Sequence, residues 1–198
     1  MANLTEFKNK VGYGIRPNLF MVQVVALEDN LETSAKVKGT DADFTFLCRS
    51  AGIPASTLGT VEVPFRGRVI KLPGDRTFES WTVTVMADED MAVRAYFEKW
   101  MNKLNKHENG AGYTDEFAAT LKVSQLARGI SKNDSLKDPH KTVRSYKFYN
   151  SFPTNIAQID LSYDNNNTIA EYTVEFQYDW WEASKSDGTV DVGASANI

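Results

Sequence analysis

One cysteine and two histidines are all that this 198-residue sequence offers of the side chains that most often do chemistry. With Cys48 alone, neither an intrachain disulfide nor a thiolate metal cage can form. His107 and His140 sit in polar, loop-like stretches with no second histidine at metal spacing, so the commonest general base is scarce and no HExxH pattern occurs. There is no GxSxG nucleophile elbow, and VGYG (11–14) is too short to cradle a phosphate. Long apolar runs are missing too: LFMVQVVAL (19–27) is broken by Gln23 and falls far short of a membrane span, so no membrane insertion of the monomer is expected. The opening MANLTEFKNK has no apolar h-region, so no secretory signal is expected and synthesis should end in a reducing, soluble compartment. A formal charge of −4 makes the chain a poor candidate for gripping nucleic acid, because affinity for phosphates comes mainly from Lys and Arg.

What the chain does have is strand-forming sequence. Only 6 prolines and 12% aromatics argue against disorder, and a chain of this length should bury roughly 70% of the surface its unfolded form exposes. In GDRTFESWTVTVM (74–86), Trp81, Val83 and Val85 alternate with Ser80, Thr82 and Thr84, which predicts a strand with one apolar and one neutral polar face. Residues 20–25 read as a strand apolar on nearly both faces, hence central or contact-making. DFTFLCRS (43–50) puts Phe44, Phe46 and Cys48 in phase, which makes Cys48 a small buried hydrophobe. GIPAS (52–56) reads as a turn, and 61–72 as a single strand bent or held at an edge by Pro64 and Gly67. Further strands are expected near 119–128, 143–152, 156–164 and 169–181, the last two joined by a DNNNT hairpin tip. Residues 28–43 read as a polar loop or an exposed hairpin, 105–116 as a polar stretch and 131–141 as a turn. One helix is expected, over 88–105, with Val93, Phe97, Trp100, Met101 and Leu104 as its buried stripe and Asp88 capping its first turn. The sum is a mainly β, antiparallel sandwich or barrel-like subunit with one α-helix, in a single domain over 1–182 followed by a polar tail over 183–198.

Three clusters invite a chemical reading and support a plainer one. Asp164, Asn166, Thr168 and Glu175 match four positions of a calcium loop, but Ile169 stands where glycine is needed and the flanks read as strands. Arg66, Arg68 and Lys71 lack the array of exposed stacking aromatics that a nucleic-acid stripe needs, and read as a solvated strand face or a salt-bridged subunit contact. Glu171, Glu175 and Asp179 share one face of a strand without a pocket around them, as an exposed acidic face would. No cofactor is expected.

RPNLFMVQV (16–24), GDRTFESWTVTVMADED (74–90) and NNTIAEYTVEFQYDWWE (166–182), in that order and spacing, resemble the tail tube proteins of contractile-tailed bacteriophages. The resemblance spans about residues 14–182. The chain departs from the family pattern at 28–43, which is longer, at 105–118, and in the tail over 183–198. The resemblance implies subunits arranged in hexameric rings with a shared inner β-barrel, stacked into a tube inside a contractile sheath. It implies self-association, contacts with sheath, baseplate and tube terminator, and double-stranded DNA passing through the lumen without specific binding. The place of work would be the virion tail, assembled in the host cytoplasm. On this reading Glu79, Ser80, Thr82 and Thr84 are candidates to face the channel. Arg16, Pro17, Asn18, Phe20, Gly74, Asp75 and Arg76 are candidates for ring or stacking contacts, with 74–76 as the loop opening strand 77–86. The alternatives of the same fold are a tube initiator or terminator and the tube of a phage-like injection device; a virion ligand-binding β-sandwich is a more distant one.

Overall fold

The computed structural model describes residues 3–11, 14–27, 45, 47–108, 110, 118–128, 141–164, 166–185 and 188–193. The expected loop or hairpin at 28–43 and all but Lys141 of the turn expected at 131–141, together with Phe44 and Phe46, lie outside the described residues. In chain order the elements are α1 (Leu4–Val11), β1 (Phe20–Leu27), β2 (Cys48–Ala51), β3 (Thr57–Phe65), β4 (Arg68–Thr77), β5 (Trp81–Met86), α2 (Ala92–Leu104), β6 (Ala119–Leu126), β7 (Thr142–Ile156), β8 (Glu171–Gln177), β9 (Trp180–Lys185) and β10 (Val190–Val192).

All strand pairs are antiparallel, and the architecture turns on β7. Its first part pairs with β6 on one side and β9 on the other, building the order β1-β6-β7-β9-β10. Its last residues, Phe152 to Ile156, pair with β8 instead, building a second sheet in the order β7-β8-β5-β2. Asn150 stands where β7 passes from one sheet to the other, at φ 52. Asparagine tolerates this left-handed backbone better than most residues, and its side-chain amide donates to Asp179 Oδ2 at 2.6 Å.

The alternation seen in the sequence now has a cause. Trp81, Val83 and Val85 of β5 and Tyr172, Val174 and Phe176 of β8 all point into one core with Val22, Leu121 and Phe148. The buried side of α2 (Val93, Tyr96, Phe97 and Trp100) packs onto the same core, with Phe97 edge-on to Phe176 at 5.7 Å. Each large apolar side chain so buried contributes about 1.5–3 kcal/mol. Asp88 caps α2 as expected, its carboxylate accepting the Ala92 N–H at 2.9 Å, while Met91 turns the chain at φ 52.

Several expectations need correction. A second helix, α1, opens the described chain. The single strand expected at 61–72 is a hairpin: Arg66 (φ 45) and Gly67 (φ 79) form a two-residue turn of the mirror-image kind that matches strand twist. Of the two readings of residues 20–25, central or contact-making, only the central one is excluded, because β1 lies at an end of its sheet. The strand expected at 156–164 stops at Ile156, and the one at 169–181 divides into β8 and β9 at Tyr178 and Asp179. Alternation through the Trp180-Trp181 pair predicts that one of the two is buried, yet neither is fully so: Trp180 stacks flat on Tyr149 and Trp181 packs against the edge of the core. Beyond residue 183, β9 continues to Lys185 and β10 pairs back onto it.

Candidate assembly surfaces

Three surfaces stand out among the described residues once the core is assigned, and none of the three resembles a catalytic pocket. The first is the outer face of the β7-β8-β5-β2 sheet. Register places Thr82 opposite Glu175, Thr84 between Thr173 and Ser50, and Met86 opposite Glu171. The Ser80 hydroxyl donates to Glu175 Oε1, and Arg49 of β2 pairs with Glu171. Of the four channel candidates, Glu79 and Thr82 are exposed and Ser80 and Thr84 are half-buried. Hydroxyls and carboxylates with one cation, interrupted by Met86 and by Phe152 at the β7 edge, therefore cover a sheet whose other face is aromatic and aliphatic. Among the described residues, β2 has only β5 as a ladder partner and Phe152–Ile156 have only β8, so both edges of this sheet are open. Open edges are templates for pairing with another chain.

The second surface is the β3–β4 hairpin. Val61, Val63 and Phe65 alternate along β3 and face Leu72, Ile70 and Arg68 of β4 in register, which puts five apolar side chains on one side. Phe65 is 58% exposed, Val61 51% and Ile70 50%, so that side has no cover within the chain's described residues. The opposite side carries the Glu62–Lys71 ion pair at 3.5 Å. Isolated two-stranded hairpins are marginal in water and need a further layer on their apolar face. Gly74, Asp75 and Arg76 belong to β4 itself; the loop expected there before strand 77–86 is absent. A Cβ on Gly74 would lie 3.2 Å from the Gly59 carbonyl carbon and oxygen, so these two glycines permit a close crossing where the register slips near the hairpin base.

The third surface gathers the other contact candidates. Pro17 and Asn18 form a turn closed by the Leu19 N–H to the Arg16 carbonyl, 3.1 Å, and the Gln125 side-chain amide donates to Arg16 O and Leu19 O at 2.8 and 2.6 Å. Pro17 and Phe20 then line a hollow of about 140 Å³ with Ile53 and Tyr146. On its wall the buried Ser124 hydroxyl has no hydrogen-bond partner among the described residues. Arg16 to Phe20 and Gly74 to Arg76 thus sit on different elements. Two features escaped the sequence reading: the hairpin's uncovered face, and the exposed stripe of Leu4, Phe7 and Val11 on α1, whose helical spacing is the one signal that marks it.

The titratable groups fit a structural part. Burial pushes the Cys48 thiol up to about 12, far from a thiolate at neutral pH. His107 lies in a turn after α2 and has its backbone N–H on Asn102 Oδ1. Of the four residues that match a calcium loop, Glu175 lies within β8 and takes the Ser80 hydroxyl, while Asp164 and Asn166 lie in an exposed turn.

Residues 15–184 match the family model of phage tail tube proteins. The chain belongs to that family. The tail tube protein gp19 of Enterobacteria phage T4 is 32% identical over 169 residues, covering 84% of this chain and 90% of the phage protein. The tail tube protein of Serratia phage KSP90 is 22% identical over 138 residues, or 69% of this chain and 72% of that one. Among solved structures, a chain in the sheath/tube terminator of an extracellular contractile injection system shares the fold with a TM-score of 0.58 at 17% identity, covering 88% of this chain and 99% of that chain. Another, in the baseplate of the anti-feeding prophage, has a TM-score of 0.55 at 13% identity and covers 84% and 93%. The family expected from the RPNLF, GDRTF and WWE segments is the one found. The chain is accordingly a structural component of a phage tail, homologous to contractile-tail tube proteins, and not an enzyme.

Proposed function

We propose that six copies of the chain close into a ring by joining their β7-β8-β5-β2 sheets edge to edge, and that rings stack into the inner tube of a contractile tail. The observation that carries this is the pairing of two open strand edges with a polar outer face on the same sheet. Six sheets of four strands give 24 strands, and at a spacing of ~4.8 Å with a tilt of ~35–45° they enclose a backbone circle roughly 50 Å across. That bore passes a DNA duplex with side chains in place. Thr82, Thr84, Ser80 and Glu79 lie on or beside the channel wall, where hydroxyls and sparse acids let DNA slide because they offer phosphates no counter-charge.

The hairpin and the Arg16–Phe20 hollow serve the contacts between copies. The five uncovered apolar side chains of β3 and β4 are buried against a neighbouring subunit, and the ring and stacking candidates Arg16, Pro17, Asn18, Phe20, Gly74, Asp75 and Arg76 lie at or beside these interfaces. A sheath surrounds the tube, a baseplate starts it and a terminator caps it, in line with the assemblies in which chains of this fold are found. Assembly takes place in the host cytoplasm, and double-stranded DNA leaves through the lumen. Negative-stain electron microscopy of the purified protein, alone and with tube-seeded baseplates, tests the reading. Hollow rods with sixfold end views are expected; subunits that extend no baseplate refute it. Counting copies per particle separates a tube, with many, from a terminator, with one ring.

A further inference from the structure

Resting on that reading, the channel wall contains one cation per subunit that needs explaining. In the strand segments that build the sheet (48–51, 81–86, 152–156 and 171–177), Arg49 is the only Lys or Arg. Its side chain is 60% exposed on the polar face. A guanidinium fork is the protein group best matched to a phosphate, so a ring of six would form an electrostatic trap repeated along the tube. Glu171, at the start of β8, bonds that guanidinium through Oε1 while its own side chain is only 29% exposed. Exposed ion pairs add little to stability, so the pair's consequence is the charge that passing DNA meets.

We infer that Glu171 masks Arg49, and that this carboxylate determines how freely a polyanion moves through the channel. The second acid of the face, Glu175, is held by the Ser80 hydroxyl and pairs across from Thr82, so it leaves Arg49 to Glu171. Within these strand segments the intact pair leaves one net negative charge; without Glu171 the guanidinium balances Glu175 and stands free for phosphates.

The test uses complete particles carrying Glu171→Gln, Arg49→Ala, or both, with DNA release after triggered contraction followed by dye fluorescence. Glu171→Gln should form normal tubes yet release DNA at least several-fold more slowly at ~50 mM salt. Its deficit should shrink by about threefold per engaged phosphate on going to ~200 mM. Arg49→Ala alone and the double variant should release at the wild-type rate. A wild-type rate for Glu171→Gln at low salt overturns the inference. So does a slow double variant, or a Glu171→Gln chain that no longer forms tubes, because the pair would then hold subunits together. Thr84→Cys in assembled tubes checks the underlying orientation separately. Labelling by a reagent too large for the bore would place this sheet outside and refute the channel assignment itself.

Discussion

Trp81 of β5 and Phe148 of β7 stack with ring centroids 4.5 Å apart, which joins the sheet proposed to line the channel to the one behind it. The Trp81 indole N–H also donates to the Gly52 carbonyl at 2.7 Å, tying down the chain as it leaves β2. Trp81→Ala should therefore cost about 3–5 kcal/mol, read from urea denaturation of the unassembled subunit.

Asn150 offers a second stability test, aimed at the backbone. A β-branched residue is strained at φ 52 and would also lose the bond to Asp179. Asn150→Val should lower unfolding free energy by about 1–2 kcal/mol, while Asn150→Gly should cost less, as measured by chemical denaturation.

The hairpin separates folding from assembly. Val63 and Ile70 face each other in register on the uncovered side, so charge there meets water in the free subunit. Val63→Glu and Ile70→Lys should each shift subunit stability by no more than about 0.5 kcal/mol. Both should stop tube growth, seen as loss of rods in electron micrographs. Rods from either variant at wild-type concentration would remove the hairpin from the interface.

Stability should also fall at high pH. Burial raises the Cys48 thiol from 9.0 to about 12, and burial with the Glu182 carboxylate raises the Tyr149 hydroxyl from 10.0 to about 12. Burial is also the main cause of the upward shifts at Tyr172 and Tyr178, helped by the charges of Asp88 and Glu79 respectively. The folded state holds these protons more tightly than the unfolded state, so their contribution is complete below pH 9.0 and is lost as pH climbs toward 12. The urea midpoint should be insensitive to these groups at pH 8 and drop from about pH 9 upward. Cys48→Ala should remove the part of that fall that starts nearest pH 9.0.

The core was legible because its signals are local. Period-two alternation named Trp81, Val83 and Val85, and helical spacing named Val93, Phe97 and Trp100, all of which are buried. The hairpin was misread because Arg66-Gly67 is not one of the common Asn-Gly or Asp-Gly turn pairs, and Pro64 suggested a break in one strand. The extent of β7 was hidden for a different reason: whether Phe152 pairs with β6 or β8 is set by long-range partners, which no window of sequence contains. The polar face of β5 was readable as a face, whereas the Arg49–Glu171 pair joins residues 122 apart and needed the fold.

The most direct test is a cryo-electron microscopy map of tubes grown from this chain, fine enough to trace strands. The account predicts six subunits per ring, the end of β7 in one copy hydrogen-bonded to β2 of the next, and Thr84 facing the bore. A ring of six whose bore is lined by the β1-β6-β7-β9-β10 sheet, or subunits joined without strand pairing at those two edges, would contradict it.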